Sequence, residues 1–357
     1  MKRALIVLLM LAVAGGLFAQ ISFGGSASSG FGVFIDDGVT FHVFNDPDQY
    51  NSKYGFGLDV SYTSESGKAG ANGGFSTNAD GQGFGAIAWF KPLDILKVEF
   101  GNIDYWWQAA TPGSLGENND FDNSGPGALL WLDPMAGLTL GAGIYPNGGG
   151  FGDARYTAVV KYSASGIVNV VANLNYIGDG NDGDGEVRVA AGFDVVALSG
   201  LGLSKLAVDV RAFNLTKLSE AGDLRFGPRI HFGFGDFSGG VRANIYFPVT
   251  DAQELGLGAS VWGQYPVLSG VTARLGAGYS IKRSISDTNG EAWDYKTDWR
   301  DLPRGYASAD TSVVGIRPSL AIGLGGGTLD VGYGFETQIG GDAKTKSAIY
   351  TSYAIGF

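Results

Sequence analysis

The fold of this chain is decided by its last eleven residues, Ser347-Ala-Ile-Tyr-Thr-Ser-Tyr-Ala-Ile-Gly-Phe357. Every second residue falls on one face, and these are Ile349, Thr351, Tyr353, Ile355 and Phe357. Such alternation predicts a β-strand. The stretch closes on an aromatic side chain, and an apolar strand edge of this kind pairs with other chains unless it is covered. A closed barrel covers that edge by pairing the last strand with the first.

This ending resembles that of the outer-membrane β-barrel proteins of double-membraned bacteria, many of which end on a strand closed by Phe. The resemblance is carried by Ile349, Tyr353, Ile355 and Phe357, whereas Thr351 departs from the apolar residue usual at its position. It implies a porin-type barrel in contact with outer-membrane lipid. It also implies that Tyr353, Ile355 and Phe357 form the signal read by the barrel-assembly machinery.

Residues 1–19 are typical of a cleaved secretory signal peptide, with Lys2 and Arg3 ahead of an apolar run at 4–14. Cleavage is expected after Ala19, with an alternative site after Ala14. The apolar run is shorter than the roughly 20 residues that cross a bilayer as a helix, which argues against a membrane anchor. Residues 20–357 are then predicted to form a single transmembrane barrel domain.

The composition supports strands and excludes several classes of function. With 60 Gly and 13% aromatic residues, the chain is poorly suited to helices and to disorder. The sequence has no cysteine, which excludes an N-terminal lipid anchor, disulfides and thiolate metal sites. Loss of Lys2 and Arg3 with the signal peptide changes the formal charge from −11 to −13, so nucleic acid is not an expected partner.

No enzyme activity, cofactor or metal is predicted. The sequence has only two histidines, His42 and His231, and no Ser/His/acid grouping or nucleotide-binding loop. The acidic turn at 178–186 departs from the calcium-loop spacing at Gly183.

Alternation between turn signals predicts eighteen antiparallel strands, with sixteen as the alternative count and 39–44 as an extra hairpin. The strands are predicted at 21–35, 54–63, 69–77, 83–90, 95–103, 127–132, 137–145, 155–163, 167–177, 186–196, 203–213, 224–234, 237–247, 255–265, 269–282, 312–324, 328–339 and 347–357. The fold class is therefore all-β, and a barrel of this size encloses an aqueous channel.

The predicted connections alternate between short and long. Tight ones are expected at 91–94, 133–136, 163–166, 235–236, 266–268 and 325–327, and longer ones at 105–126, 178–185, 214–223, 283–311 and 340–346. Because outer-membrane barrels have short periplasmic turns and long outer loops, the C-terminus is expected in the periplasm. Pro228 and Pro318 fall inside strands, where bulges or local breaks in pairing are expected.

Arginines recur on the polar faces of the strands. Arg229, Arg242, Arg274 and Arg317 are predicted near mid-height, and Arg155, Arg188, Arg211 and Arg225 nearer the outer mouth. One interpretation is a basic pore wall that selects ions, faced by Glu117, Asp120 and Asp122 if loop 105–126 folds inward as in general porins. The alternative is that the arginines only neutralise lumenal Asp194, Asp209, Asp330 and Glu336.

Two other patterns concern the wall of the barrel. Glycines on the polar faces are expected to keep the bore open, and these are Gly227, Gly233, Gly276, Gly278 and Gly323. Aromatic residues near strand ends suit the membrane interfaces. They are Tyr62, Trp89, Trp131, Tyr145, Tyr162, Tyr176, Trp262, Tyr265 and Tyr279.

The function predicted from these features is an outer-membrane channel for passive diffusion of small hydrophilic solutes. The alternative is a surface-exposed structural protein or adhesin that acts through its long loops. Many porins of this size are trimers, and no sequence signature decides whether this chain forms a homo-oligomer.

Overall fold

The computed structural model describes twelve stretches of the chain. They are residues 19–35, 38–44, 55–78, 81–104, 124–146, 153–178, 186–195, 202–217, 222–249, 255–281, 311–341 and 344–356. A 3-10 turn, Leu215–Lys217, follows one of the strands in these stretches. Within the described stretches, no helix has the length and apolarity needed to cross a bilayer.

The described residues form one antiparallel sheet of nineteen strands. They are β1 Ala19–Ile35, β2 Val39–Phe44, β3 Gly55–Ser64, β4 Ala69–Asn78, β5 Gly81–Leu93, β6 Leu96–Asp104, β7 Ser124–Met135, β8 Leu138–Tyr145, β9 Arg155–Ala164, β10 Val168–Ile177, β11 Glu186–Val195, β12 Leu203–Phe213, β13 Asp223–Phe234, β14 Phe237–Phe247, β15 Gly256–Leu268, β16 Val271–Ile281, β17 Ser312–Leu324, β18 Gly327–Ile339 and β19 Thr345–Gly356.

The sheet closes on itself through β1. One edge of β1 pairs with β19, from Ser26 opposite Gly356 to Ile35 opposite Ser347. Its other edge pairs with β3 over the first half and with β2 over the second half. Because β2 and β3 share that edge, they occupy one position in the barrel, which therefore has eighteen. The predicted eighteen strands, with 39–44 as an extra hairpin on the first strand, are confirmed, and the alternative of sixteen is wrong.

The two faces of each strand differ in exposure, as alternation requires. In β17, Ile316 and Leu320 are exposed, whereas Val313, Arg317 and Ser319 on the alternate positions are buried. In a closed barrel the buried set points inward and the exposed set outward. The outward set carries the large apolar side chains of most strands, as a hydrocarbon environment demands.

Short turns lie at the barrel end that also holds the start of β1 and the end of β19. Turns of two to four residues follow β3, β5, β7, β9, β13, β15 and β17. Three of them were predicted a few residues too early, because Pro92, Pro134 and Pro266 were interpreted as turn residues. Each proline instead lies inside a strand, next to a register irregularity that absorbs its missing backbone donor.

Pro228 and Pro318 interrupt pairing without changing register. Pairing of β13 with β14 stops after Phe226 and resumes at Arg229 in the same register. Pairing of β17 with β18 likewise skips from Ile316 to Ser319. The expected local break is confirmed, and no bulge accompanies it.

Candidate functional site

The inner wall of the barrel holds all eight arginines singled out in the sequence. They occupy inward positions on β9, β11, β12, β13, β14, β16 and β17, so seven strands contribute to one basic surface. None is on the exposed face, and Arg211 and Arg317 are only 2% and 1% exposed. Successive side chains of a strand point to opposite faces of the sheet, and each arginine therefore shares the inner face with buried neighbours two residues away.

Two of the arginines pair with inward carboxylates on β18. Arg274 Nη1 donates to Asp330 Oδ1 at 2.7 Å, and both side chains keep about a fifth of their surface exposed. Arg317 Nη2 lies 3.6 Å from Glu336 Oε1, and that pair is almost completely buried. The interpretation that arginines neutralise lumenal acids therefore describes these two residues.

Arg229 and Arg242 lie directly opposite each other on β13 and β14. Like charges at directly opposed positions repel, so their orientation has to be set by other groups. Arg229 Nε donates to His231 Nε2 at 2.7 Å, and Arg242 Nε donates to Ser260 Oγ at 3.1 Å. Each guanidinium is thus held to the wall by its Nε.

Arginines and aromatic rings alternate across β11 to β14. The guanidinium carbon of Arg225 lies 4.4 Å from the ring centre of Phe213 and 4.8 Å from that of Tyr246. Arg188 lies 5.4 Å from the ring of Phe213. Contacts between a cation and the face of a ring are attractive, and the stack keeps two cations close to one another.

A second cluster on the inner wall was missed by sequence reasoning. Leu129, Trp131, Tyr145 and Val159 form a buried apolar group on β7, β8 and β9. Trp131 Nε1 donates to Glu99 Oε2 at 2.8 Å, and the carboxylate of Glu99 also pairs with Lys97.

Lys161 completes this cluster, because its ammonium lies 4.8 Å from the ring centre of Trp131. Around the eighteen positions β7 is nine places from β16, so Trp131 and Arg274 stand on opposite sides of the barrel. The Trp131 cluster and the Arg274–Asp330 pair therefore lie on opposite sides of the lumen.

The prediction that strand-end aromatics mark the membrane interfaces is wrong for one group of residues. Trp131, Tyr145 and Trp262 are 6%, 3% and 7% exposed and point inward, and Trp89 also occupies an inward position. Tyr62, Tyr162, Tyr176, Tyr265 and Tyr279 occupy outward positions. A one-residue change in parity separates the two groups, and in β7 it is concealed by adjacent leucines, since Leu129 points inward and Leu130 outward.

Several inward rings lie flat against glycines of the adjacent strand. A Cβ on Gly240 would lie 2.7 Å from Trp262, one on Gly141 would lie 2.6 Å from Trp131, and one on Gly332 would overlap the ring of Tyr350. Glycine at these positions therefore makes room for a ring beside the backbone. Glycines of the wall thus accommodate bulky side chains as well as leaving space.

Tyr353 and Ile355 of the expected assembly signal lie on outward positions of β19. Tyr353 Oη donates to the carbonyl of Leu324 at 2.9 Å, and Ile355 pairs with Ala27 of β1. Phe357 lies outside the described residues, as do Glu117, Asp120 and Asp122 of the expected constriction loop. Among the residues that the structure describes, no group of three His, Cys, Asp or Glu side chains is placed to hold a metal.

The sequence matches no protein-family model and no curated protein. Solved structures with the same fold include OpdL of Pseudomonas aeruginosa, at TM-score 0.59 and 13% identity, covering 95% of this chain and 99% of that one. The outer membrane protein OpdK of the same bacterium matches at TM-score 0.59 and 10% identity, with the same coverage. OpdO matches at TM-score 0.57 and 13% identity, covering 95% and 97%.

Identities this low show the fold alone. The chain is an all-β protein with the closed, eighteen-position antiparallel barrel of these Pseudomonas aeruginosa structures. The fold that the C-terminal strand predicted is thereby confirmed.

Proposed function

We propose that the protein is an outer-membrane channel through which small hydrophilic solutes diffuse passively. The observation that carries the proposal is the contrast between the two faces of one closed wall. Its outward face presents large apolar side chains, whereas its inward face holds charged pairs such as Arg274 and Asp330. Charged groups are costly to bury away from water, so this inward face suits a hydrated lumen.

Among the residues whose side chains the structure describes, basic groups outnumber acidic ones on the inward face, which favours anions over cations. Basic side chains at described inward positions are Lys97, Arg155, Lys161, Arg188, Lys205, Arg211, Arg225, Arg229, Arg242, Arg274, Arg317 and Lys346. Acidic ones are Asp59, Glu99, Asp133, Asp194, Asp209, Asp330 and Glu336. A wall with an excess of one sign concentrates ions of the other sign and eases their passage.

The orientation we propose puts the short turns and the C-terminus in the periplasm, where the assembly machinery reads Tyr353, Ile355 and Phe357. The outward apolar face then contacts outer-membrane lipid. The adhesin alternative depends on loops 105–126 and 283–311, which lie almost wholly outside the described residues. The described residues therefore bear on the channel proposal and not on the adhesin alternative.

Liposome swelling tests the proposal. Purified protein is refolded into vesicles, which are then diluted into isotonic solutions of sugars of increasing size. We expect swelling whose rate falls steeply with the size of the sugar, as diffusion through a water-filled bore requires. Vesicles that contain the folded barrel and swell no faster than protein-free vesicles would refute passive diffusion.

A further inference from the structure

His231, on the inner wall, makes a defined contact that passive diffusion through the channel does not require. His231 lies on β13, two residues after Arg229, and both side chains are on inward positions. The Nε of Arg229 donates a hydrogen bond to His231 Nε2 at 2.7 Å. An arginine Nε always carries a hydrogen, so His231 Nε2 must be the bare, accepting nitrogen of a neutral ring.

The imidazole is itself held in place by a tryptophan from two strands away. The rings of His231 and Trp262 meet edge to face, with centroids 5.1 Å apart and planes at 79°. Trp262 is 7% exposed and lies against Gly240, which is the cross-strand partner of His231. Gly240 leaves no side chain between the two rings, so the indole fixes the imidazole from the side.

The hydrogen bond to His231 orients the guanidinium of Arg229. Arg242 is directly opposite on β14, and repulsion between the two cations would otherwise move the guanidinium of Arg229 away. A hydrogen bond from Nε fixes the plane of the guanidinium and therefore the direction of its two terminal nitrogens. His231 thus determines where one positive charge of the wall stands.

We propose that His231 is the positioning residue of Arg229, and that through this contact the ion preference of the channel depends on pH. The inference rests on the proposed function, because a preference among ions requires a conducting lumen. A protonated imidazole carries hydrogens on both nitrogens and has no acceptor for Arg229. Protonation therefore breaks the contact and adds a charge to the same part of the wall.

Charged groups on β12, β13 and β14 surround His231. Its cross-strand partner on β12 is Lys205, with Asp209 two inward positions further along, and Arg242 is diagonal to it on β14. Trp262 faces it from β15. Three of the surrounding groups, counting Arg229, are cations, so a proton gained by His231 adds to the positive charge of an already basic part of the wall.

The test compares His231→Gln and His231→Leu with the unaltered channel. The amide oxygen of Gln accepts from Arg229 but does not titrate, and Leu does neither. Reversal potentials are measured in a KCl gradient across a planar bilayer, at about pH 7.5 and at about pH 5, on either side of the range in which an imidazole ordinarily titrates. Heat-modified electrophoretic mobility confirms that each variant is folded.

For the unaltered channel we expect the anion-to-cation permeability ratio to rise about twofold on acidification, because one added charge lies within a screening length of the ion path. The Gln variant should match the unaltered channel at about pH 7.5. On acidification its permeability ratio should rise less, because only the carboxylates common to both proteins then gain protons. The Leu variant should differ from both at about pH 7.5.

Two results would overturn the inference: an equal rise in the Gln variant, or a Leu variant that matches the unaltered channel at both pH values. Failure of the proposed function looks different, because the unaltered protein would then carry no current at either pH.

Discussion

Arg274 on β16 reaches over β17 to Asp330 on β18, with Nη1 2.7 Å from Oδ1. The cross-strand neighbour of Arg274 is Ser319, and Asp330 lies opposite Ala321 one inward position away, so only small side chains stand between the two ions. Each ion keeps about a fifth of its surface exposed. The pair can therefore influence ions in the lumen as well as stabilise the wall.

The first prediction concerns the selectivity of this pair. Asp330→Asn leaves the charge of Arg274 without its carboxylate and should raise the anion-to-cation permeability ratio. Arg274→Gln should lower that ratio, and the double variant should return it close to the unaltered value, because the net charge is then restored. Reversal potentials in a salt gradient measure all three. If all three variants give the permeability ratio of the unaltered channel, the pair does not face the ion path.

Arg317 and Glu336 provide the contrasting case, since both side chains are only 2% exposed. Removing one member of a buried ion pair costs about 3–5 kcal/mol. We expect Arg317→Gln and Glu336→Gln each to lower the urea midpoint of unfolding in lipid vesicles while changing selectivity little. Replacement of both residues, as Arg317→Met with Glu336→Leu, should cost less than either. A larger loss in the double variant would contradict this account.

Gly332 and Tyr350 test the flat packing of rings on the wall. A Cβ at Gly332 would overlap Tyr350 Cζ and Oη, so Gly332→Ala should displace the ring and cost about 1–3 kcal/mol. The cost should nearly vanish in a Tyr350→Ala background, as a double-mutant cycle would report. Gly233→Ala is the matched control on the same inner face, because its nearest neighbour would lie 3.7 Å away. Equal costs at the two glycines would exclude steric displacement.

The absence of cysteine from the sequence allows the orientation to be tested directly. Asp236 lies in the turn between β13 and β14, and Thr216 lies at the opposite end of the barrel, after β12. Both side chains are exposed. In intact cells, a thiol reagent that cannot cross the outer membrane should label Thr216→Cys and leave Asp236→Cys unlabelled. The reverse pattern would place the short turns outside.

Strand order could be predicted from the sequence, and so could the parity of those strands in which apolar and polar residues alternate with period two. The pattern of Val168, Val170 and Leu174 against Asn169 and Asn173 is sufficient to assign both faces of β10. Closure could be expected from the C-terminal strand. Strand ends could not be predicted as well, because proline was taken to end a strand where the structure places it inside one, at Pro92, Pro134 and Pro266.

The partners of the inward charges were only partly predictable. The predicted partners were the lumenal acids Asp194, Asp209, Asp330 and Glu336, and the register then decides which arginine meets which acid. The contact of Arg229 with His231 required the side-chain geometry, because two adjacent inward residues show no preference for contact in sequence. The Trp131 and Glu99 cluster was missed because tryptophan near a strand end has two plausible environments, lipid interface and lumen, and only exact parity separates them.

Single-channel recording of the refolded protein in a planar lipid bilayer tests the central claim most directly. An open, water-filled lumen with an excess of basic side chains predicts discrete conductance steps and a reversal potential on the anion-selective side. A barrel that inserts, as shown by its heat-modified mobility, and produces no steps at any voltage would contradict the account.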